Sequence, residues 1–272
     1  MPPVITLGAV AYDAKVVPIW DGFQAWLATR GLAFDYILYT SYERQVAAHL
    51  RGDLDVAWNS PLAWLQAVRL GAKRGVPVST IAMRDTDRDL TSVVLVKADG
   101  PKALGEIRHI GVGAADSPQA TLIPLLELAE AGVHPEVLRH DVLVGKHGDH
   151  VGGERKAVEA LLAGTVEAAC IIDGNRLAFT REGLFAPNQL RVVLATPAYD
   201  HCNMTVVGPV TDELRRFAEL LLAMSYDDPV VRPLLDLEGL KQWVPGRTSG
   251  YALLERAIDR FGTIDGWLAS HG

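Results

Sequence analysis

The chain has 272 residues, of which 49% are hydrophobic and 22% charged, and a net charge of -7. That length supports one large or two small cores, and the composition is that of an ordinary globular protein. The acidic balance excludes nucleic acid as the main partner, because no basic stripe is present to neutralise phosphates; a small anion, needing only local donors, is not excluded.

Met1-Pro2-Pro3 runs directly into the strand-like Val4-Ile5-Thr6-Leu7 without the pattern of a signal peptide. This predicts a cytoplasmic location for the chain as written, and a periplasmic or extracellular one if a leader has been trimmed. No stretch is long and apolar enough to span a membrane. Cys170 and Cys202 fall in different elements without a CxxC, so no disulfide framework is expected.

Hydrophobic patterning predicts a strand over 4–10, a helix over 16–30 stopped by Gly31, and a strand over 34–39. Thr40 or Ser41 caps a helix running to Leu50, and Gly52 ends it. Leu54 to Trp58 are apolar apart from Asp55, as in a strand covered on both faces. Ser60 then reads as an N-cap, with Pro61 at the first position of a helix over 61–70. A helix starting at the carboxyl end of a parallel strand points unpaired N–H groups into a crevice, which makes Asn59 and Ser60 candidate cleft residues.

Strands over 78–83 and 92–96 follow, separated by Arg84-Asp85-Thr86-Asp87-Arg88-Asp89. Mixed charge without periodicity reads there as a solvated turn. A composition shift at Lys97-Ala98-Asp99-Gly100-Pro101 marks the exit from a first lobe. Beyond it come a strand over 109–113, a helix over 117–131, a strand over 137–144 and a helix over 153–163. Strands over 168–172, 190–195 and 204–207 lead to helices over 212–224, 230–235 and 251–261. Strand–helix alternation of this kind predicts an α/β chain with parallel sheets under covering helices.

Two internal echoes point to paired lobes. Residues 43–57 and 154–169 both read as a helix, a glycine stop, and a strand opening on an acidic residue. Ser117-Pro118 after the strand Ile110-Gly111-Val112-Gly113 repeats Ser60-Pro61. Simple capping explains either Ser-Pro alone; together they also fit two helix N-termini offering N–H groups to one ligand.

The run Leu50-Arg51-Gly52-Asp53-Leu54-Asp55-Val56-Ala57-Trp58-Asn59-Ser60-Pro61 leads a strand into a Pro-led helix. Ser117-Pro118-Gln119-Ala120-Thr121-Leu122-Ile123-Pro124, Val166-Glu167-Ala168-Ala169-Cys170-Ile171 and Glu238-Gly239-Leu240-Lys241-Gln242-Trp243-Val244-Pro245 follow in order. Over nearly its whole length the chain resembles the phosphate- and phosphonate-binding components of ABC importers, which are type II periplasmic binding proteins. The resemblance implies two Rossmann-like lobes joined by two crossover strands, near 92–96 and 204–208. Lobe one would comprise 1–96 plus 206–272 and lobe two 97–205. It implies that Ser117, Gln119 and Thr121 hold an oxyanion, that Asn59 and Ser60 face it, and that Tyr12 and Asp13 contribute after the first strand. Asp173 would be a cleft acid receiving an amine or hydroxyl. An ABC permease would be the partner, and no cofactor is called for. Where the family carries a Ser-Thr-Ser cradle, Pro118 removes a backbone donor and Gln119 replaces a hydroxyl. The expected ligand is therefore a small anion or zwitterion: phosphonate-like, carboxylate or another oxyanion.

Lys146-His147-Gly148-Asp149-His150 offers His147 and His150 as metal ligands, but the rest would have to come from His201 or Cys202. A Gly-rich loop is the favoured reading, and no metal is expected. Asp200-His201-Cys202 stands just before the return crossover. Strand neighbours face opposite sides, so a ligand-contacting loop or hinge is expected there, with His201 a contact, rather than a Cys–His pair. Binding without chemistry is the leading function. The alternative is a cytoplasmic lyase or dehydratase on the same fold, as in menaquinone or thiamin biosynthesis, with Asp173 or His201 as base. Asp55, the other candidate base, opens its strand at the end away from a cleft, which favours a structural role.

Overall fold

The computed structural model describes residues 4–140 and 150–266. The elements in chain order begin β1 (Ile5–Val10), α1 (Val16–Thr29), β2 (Phe34–Tyr39), α2 (Tyr42–Arg51), β3 (Val56–Asn59), α3 (Pro61–Arg74) and β4 (Val78–Arg84). Next come β5 (Ser92–Lys97), β6 (His109–Val112), a π turn (Pro118–Leu122) running into α4 (Ile123–Glu130), and β7 (Glu136–Arg139). They are followed by α5 (His150–Ala163), β8 (Ala168–Ile172), α6 (Asp173–Arg181), β9 (Leu190–Ala195) and β10 (Asn203–Val207). The chain closes with α7 (Asp212–Leu222), α8 (Arg232–Glu238), β11 (Trp243–Pro245) and α9 (Ala252–Phe261).

The described residues fall into two compact units, one from Met1–Arg88, Asp200–Tyr251 and Ile264–Gly272, the other from Asp89–Tyr199 and Ala252–Thr263. The first carries a sheet in the order β11-β4-β10-β3-β1-β2, the second a sheet in the order β7-β6-β8-β5-β9. Leaving aside the edge strand β11, the plan is the same in both. Two strands flank a central one in parallel, β2 and β3 beside β1, β7 and β8 beside β6. The next strand is antiparallel and is supplied by chain arriving from the other unit: β10 in the first sheet, β5 in the second.

The echo between residues 43–57 and 154–169 corresponds to equivalent positions in that plan. Gly52 (φ 84°) and Gly164 (φ 78°) end α2 and α5 in the left-handed conformation that glycine adopts without strain. The acidic residue after each helix does the same job twice. Asp55 accepts the Thr6 N–H at 2.7 Å, and Glu167 accepts the His109 N–H at 2.6 Å. Each carboxylate thereby fixes the start of a central strand, so Asp55 is structural, as expected.

Several expectations shift for local reasons. The helix over 117–131 opens as a π turn because Pro124 has no N–H to give the Ala120 carbonyl. That carbonyl instead takes the Gly113 N–H at 3.4 Å, while the Leu122 N–H reaches back to the Ser117 carbonyl at 3.0 Å. Helix α6 was not foreseen: Asp173-Gly174-Asn175 reads as a polar strand end, yet it begins the helix that occupies the place of α3. Strand β11 is three residues long and contains a proline, too little for a periodicity. The strand expected over 137–144 ends at Arg139, and residues 141–144 lie outside the described residues.

The unit boundaries differ from 96/97 and 205/206, because each crossing strand hydrogen-bonds along its length in the sheet it enters. β5 lies wholly in the second sheet and β10 in the first. Leu90 and Tyr199 pair as an isolated antiparallel bridge where the chain enters and leaves the second unit. Helix α9, expected in lobe one, joins the second unit. Its Leu253, Leu254, Ala257 and Ile258 are buried, and it packs on α4 and the π turn.

The first core gathers Trp20, Phe23, Leu27, Trp58, Phe217 and Trp243. The second unit has a core on each face of its sheet: Val93 and Leu95 of β5 enter one with Ile171 and Phe179, Val94 and Val96 the other with Ile110 and Cys170. This strict alternation is the signature of a strand buried on both sides. Burial among these apolar groups pushes the Cys170 thiol well up, as befits a core cysteine.

Candidate functional site

Helices α1, α2 and α3 begin after the carboxyl ends of the parallel strands β1, β2 and β3, so short connections line that edge of the first unit's sheet. The polar run after β4 lies there, and it is not the solvated turn expected. Asp87 is 2% exposed. Arg84 grips it with two guanidinium nitrogens, one at 3.1 Å from Asp87 Oδ1, and donates from a third to the Glu238 carbonyl at 2.8 Å. The guanidinium also lies 5.2 Å over the Trp58 ring, a stacking arrangement that suits its weak hydration.

His201 and Cys202 reach the same carboxylate from the other side. His201 Nδ1 is 3.4 Å from Asp87 Oδ1 and 3.1 Å from Cys202 Sγ, and the Cys202 N–H donates to Asp87 Oδ1 at 3.3 Å. The expectation that these neighbours point apart fails because residues 201 and 202 precede β10 and are not pleated strand. Out of the pleat, adjacent side chains can turn to one side.

The electrostatics of this cluster have a direction. Burial works against ionisation of Asp87, but Arg84 and His201 outweigh it and hold its pKa at about 2. Burial likewise opposes the His201 imidazolium, but Cys202 and Asp87 overcome it and push the pKa up to about 10. Burial raises Glu238 to about 7 despite Arg84. The cations are the outer layer: the Arg84 and His201 side chains are 20% and 19% exposed, Asp87 and Glu238 only 3% and 4%. The accessible face is therefore positive, with its compensating anions beneath. Beside it, Arg247 chelates the buried Asp200, with Nε 2.6 Å from Oδ2.

The predicted contacts of the first unit divide. Asn59 is fully buried, and both ends of its amide are taken: Oδ1 accepts from Gln45 Nε2 at 2.7 Å, and Nδ2 donates to Thr205 Oγ1 at 2.8 Å. The chain of bonds continues through Asn203 to the Tyr251 hydroxyl, which donates to the His201 carbonyl at 2.7 Å. Asn59 thus belongs to the scaffold that places His201. Ser60 caps α3 through the Ala63 N–H at 3.3 Å, and Pro61 takes the first helical position. Tyr12 is 44% exposed after β1, and Asp13 turns back to accept the Lys15 N–H at 2.8 Å.

In the second unit Ser117, Gln119 and Thr121 come together on the π turn, all buried. Ser117 Oγ accepts the Ala120 N–H at 3.1 Å, which leaves its own O–H available to donate. Thr121 Oγ1 donates to the Ala114 carbonyl at 2.8 Å. Ser92 completes the group: its hydroxyl lies 2.6 Å from the Gln119 carbonyl and 2.6 Å from the Tyr199 hydroxyl. Asp173 is not in this cluster; it pairs with Arg176 at 2.9 Å on the first turn of α6. His147 lies outside the described residues, and only the backbone of His150 is described, at the start of α5.

Sequence reasoning missed Arg84, Asp87, Glu238, Ser92 and Tyr199. The one local signal was the Arg84–Asp87 spacing, three residues apart in a run otherwise read as solvent-facing.

Two α/β units of one plan, each taking an antiparallel strand from chain that arrives from the other, make the two-lobed type II periplasmic-binding-protein fold. A family described as ABC transporter, phosphonate, periplasmic substrate-binding protein matches residues 8–251. The chain belongs to this family. No curated protein matches it in sequence. Among solved structures it is similar to PhnD1 from Prochlorococcus marinus in complex with methylphosphonate, at 18% identity and TM-score 0.65, covering 97% of this chain and 100% of that one. It is similar to a binding protein component of an ABC phosphonate transporter from Pseudomonas aeruginosa, at 15% identity and TM-score 0.59, covering 95% and 86%. It is also similar to XAC2383 from Xanthomonas citri bound to ATP, at 14% identity and TM-score 0.65, covering 98% of each chain. At such identities the likeness is one of fold. As a member of the phosphonate substrate-binding family, the chain is a substrate-binding protein, a component that takes a small ligand and works with a permease. That family fits the binding reading and not the lyase or dehydratase alternative. It is a periplasmic family, and among the described residues no helix is long and apolar enough to cross a membrane.

Proposed function

We propose that this family member binds a small oxyanion of the phosphonate, phosphate or carboxylate class, on the periplasmic side, and delivers it to an ABC permease. The observation that carries the ligand class is the layered cluster of the first unit: Arg84 and His201 outward, Asp87 and Glu238 beneath. A cation held in place by buried carboxylates is preorganised, so an arriving anion meets a charge that costs little to position. The second unit, taken by itself, offers the Ser117 hydroxyl as an oxyanion donor, with Gln119 and Thr121 shaping the turn around it. Tyr12 and Ser60 are the first unit's further contacts. Pro118 in place of a donor makes the cradle poorer than one built from hydroxyls alone, and this favours a ligand with fewer acceptor oxygens than phosphate.

The test is isothermal titration of the ligand-stripped chain with methylphosphonate, phosphate and a small carboxylate. One of these should bind in the micromolar range or tighter. Ser117→Ala should then lose roughly tenfold in affinity, the worth of about 1.4 kcal/mol for one lost hydrogen bond. Asn59→Ala is the control. Its amide is spent inside the scaffold, so it should cost about 1–3 kcal/mol of stability and leave the intrinsic affinity within a few-fold. If none of the three anions binds at millimolar concentration, the oxyanion reading is wrong.

A further inference from the structure

We propose that Asp87, His201 and Cys202 form a binding site for one divalent transition-metal ion with the coordination preferences of zinc. One donor atom from each lies within 4.8 Å of the others. The imidazole Nδ1 is 3.4 Å from Asp87 Oδ1 and 3.1 Å from Cys202 Sγ. Tetrahedral zinc, with bonds of about 2.0 Å to nitrogen and oxygen and about 2.3 Å to sulfur, spaces its donors by roughly 3.3–3.6 Å. The carboxylate–imidazole separation already fits. The imidazole–sulfur separation has to open by about 0.4 Å, and the sulfur has to come within about 3.5 Å of a carboxylate oxygen that lies no more than 4.8 Å from it, a movement that rotation about the cysteine side-chain bond supplies.

The donor set selects the metal. One sulfur, one imidazole nitrogen and one carboxylate oxygen suit zinc and its transition-metal neighbours, whereas magnesium and calcium require oxygen cages. Three protein ligands leave a fourth position for water or a small anion, the pattern of an open rather than a structural site. The surroundings hold the ligands in place. Asp87 is fixed by Arg84 on both oxygens and by the Cys202 N–H on Oδ1, so a metal at Oδ1 would take the place of one of these donors while the others hold the carboxylate in position. The Tyr251 hydroxyl holds the His201 carbonyl at 2.7 Å and so fixes the backbone that carries both other ligands. Access is from the outer side, where the His201 side chain is 19% exposed. The site shares Asp87 and His201 with the oxyanion reading, and a metal-bound imidazole is no longer a cation; titrating zinc without anion, and anion without metal, keeps the failure of one distinguishable from the failure of the other.

The experiment uses the full chain, treated with chelator and titrated with zinc alone, and in parallel with cobalt(II) followed by absorption. One ion should bind per chain, and cobalt should give a thiolate-to-metal charge-transfer band in the near ultraviolet. Cys202→Ser should abolish that band and weaken zinc at least tenfold, as should His201→Gln for zinc. Replacing His147 and His150 together with alanine should change neither. Circular dichroism of each variant checks that it is folded, and the cobalt band is read on the unsubstituted chain, so that result needs no variant. Absence of stoichiometric binding or of the band would overturn the proposal. Zinc binding as tight in Cys202→Ser and His201→Gln as in the parent, or its loss in the His147 and His150 variant, would overturn it too.

Discussion

His49 lies at 1% exposure on α2, with Nε2 accepting the Val207 N–H at 3.3 Å. Burial pulls its pKa down from 6.5 to about 4, opposed only in part by the backbone at Asp55. The folded protein therefore keeps this imidazole neutral where the unfolded chain would protonate it. Above pH 6.5 the two states bind the same number of protons and His49 has no effect on stability. Between pH 6.5 and about 4 the unfolded state binds the extra proton, and stability falls by up to about 3 kcal/mol. Glu238, raised to about 7, works in the opposite direction over the same range, so the His49 contribution is read by urea denaturation as the difference between the parent and His49→Gln, which keeps an acceptor for Val207: the variant should lose less stability, or gain more, between pH 7 and pH 4.5. A pH dependence identical in parent and variant would show that His49 does not contribute. Nothing in the local sequence marks His49 as buried, since a histidine near the end of a helix reads equally well as a dipole partner on the surface.

At the scale of elements, α9 shows how weight is distributed between charge and burial. Its inner face carries Leu253, Leu254, Ala257 and Ile258, all buried, while Arg256 on its flank reaches Glu130 at 3.4 Å and Glu127 at 3.6 Å. The Arg256 side chain is 54% exposed, so water and salt screen those pairs. Ile258→Ala should cost about 2–4 kcal/mol, through lost apolar burial plus a cavity, and Arg256→Ala under about 1 kcal/mol. Chemical denaturation of the two variants decides the order; a larger loss for Arg256→Ala would mean that α9 is held by charge. The periodicity of α9 was legible, but its assignment to the second unit was not, because an amphipathic stripe says that a face is covered and not by what. The π turn before α4 is the converse case. Pro124 and the Gly113 N–H make it a local consequence of composition, visible in the residues once proline's missing donor is counted.

On the scale of the whole molecule, each unit is assembled from separated lengths of chain. The first needs the segment Asp200–Tyr251, which supplies β10 and β11 to its sheet, the helices α7 and α8, and the core residues Phe217, Leu221, Leu235 and Trp243. A chain ending at residue 199 should therefore not fold its first unit, however complete β1 to β4 are; loss of the near-ultraviolet signal from Trp20, Trp58 and Trp64 would report this. A native-like signal there would show that the first four strands suffice. The sequence alone determined the α/β alternation, the caps at Ser60 and Ser117, a cap at Thr40 or Ser41 that the structure places on Ser41, the glycine stops, and the echo that became two units of one plan. All of these depend on backbone conformation and on neighbours a few residues away, which composition records directly. Tertiary structure alone decided which side chains meet: Arg84 with Glu238, 154 positions apart, Asn59 with Thr205, 146 apart, and Asp87 with His201 and Cys202. Such contacts depend on where each strand end stops and which way each loop turns. Those choices are set by packing the whole unit and leave no period in the sequence. For that reason the Gly52 to Pro61 stretch could be read as a strand meeting a capped helix, while the role of Asn59 within it could not be read at all.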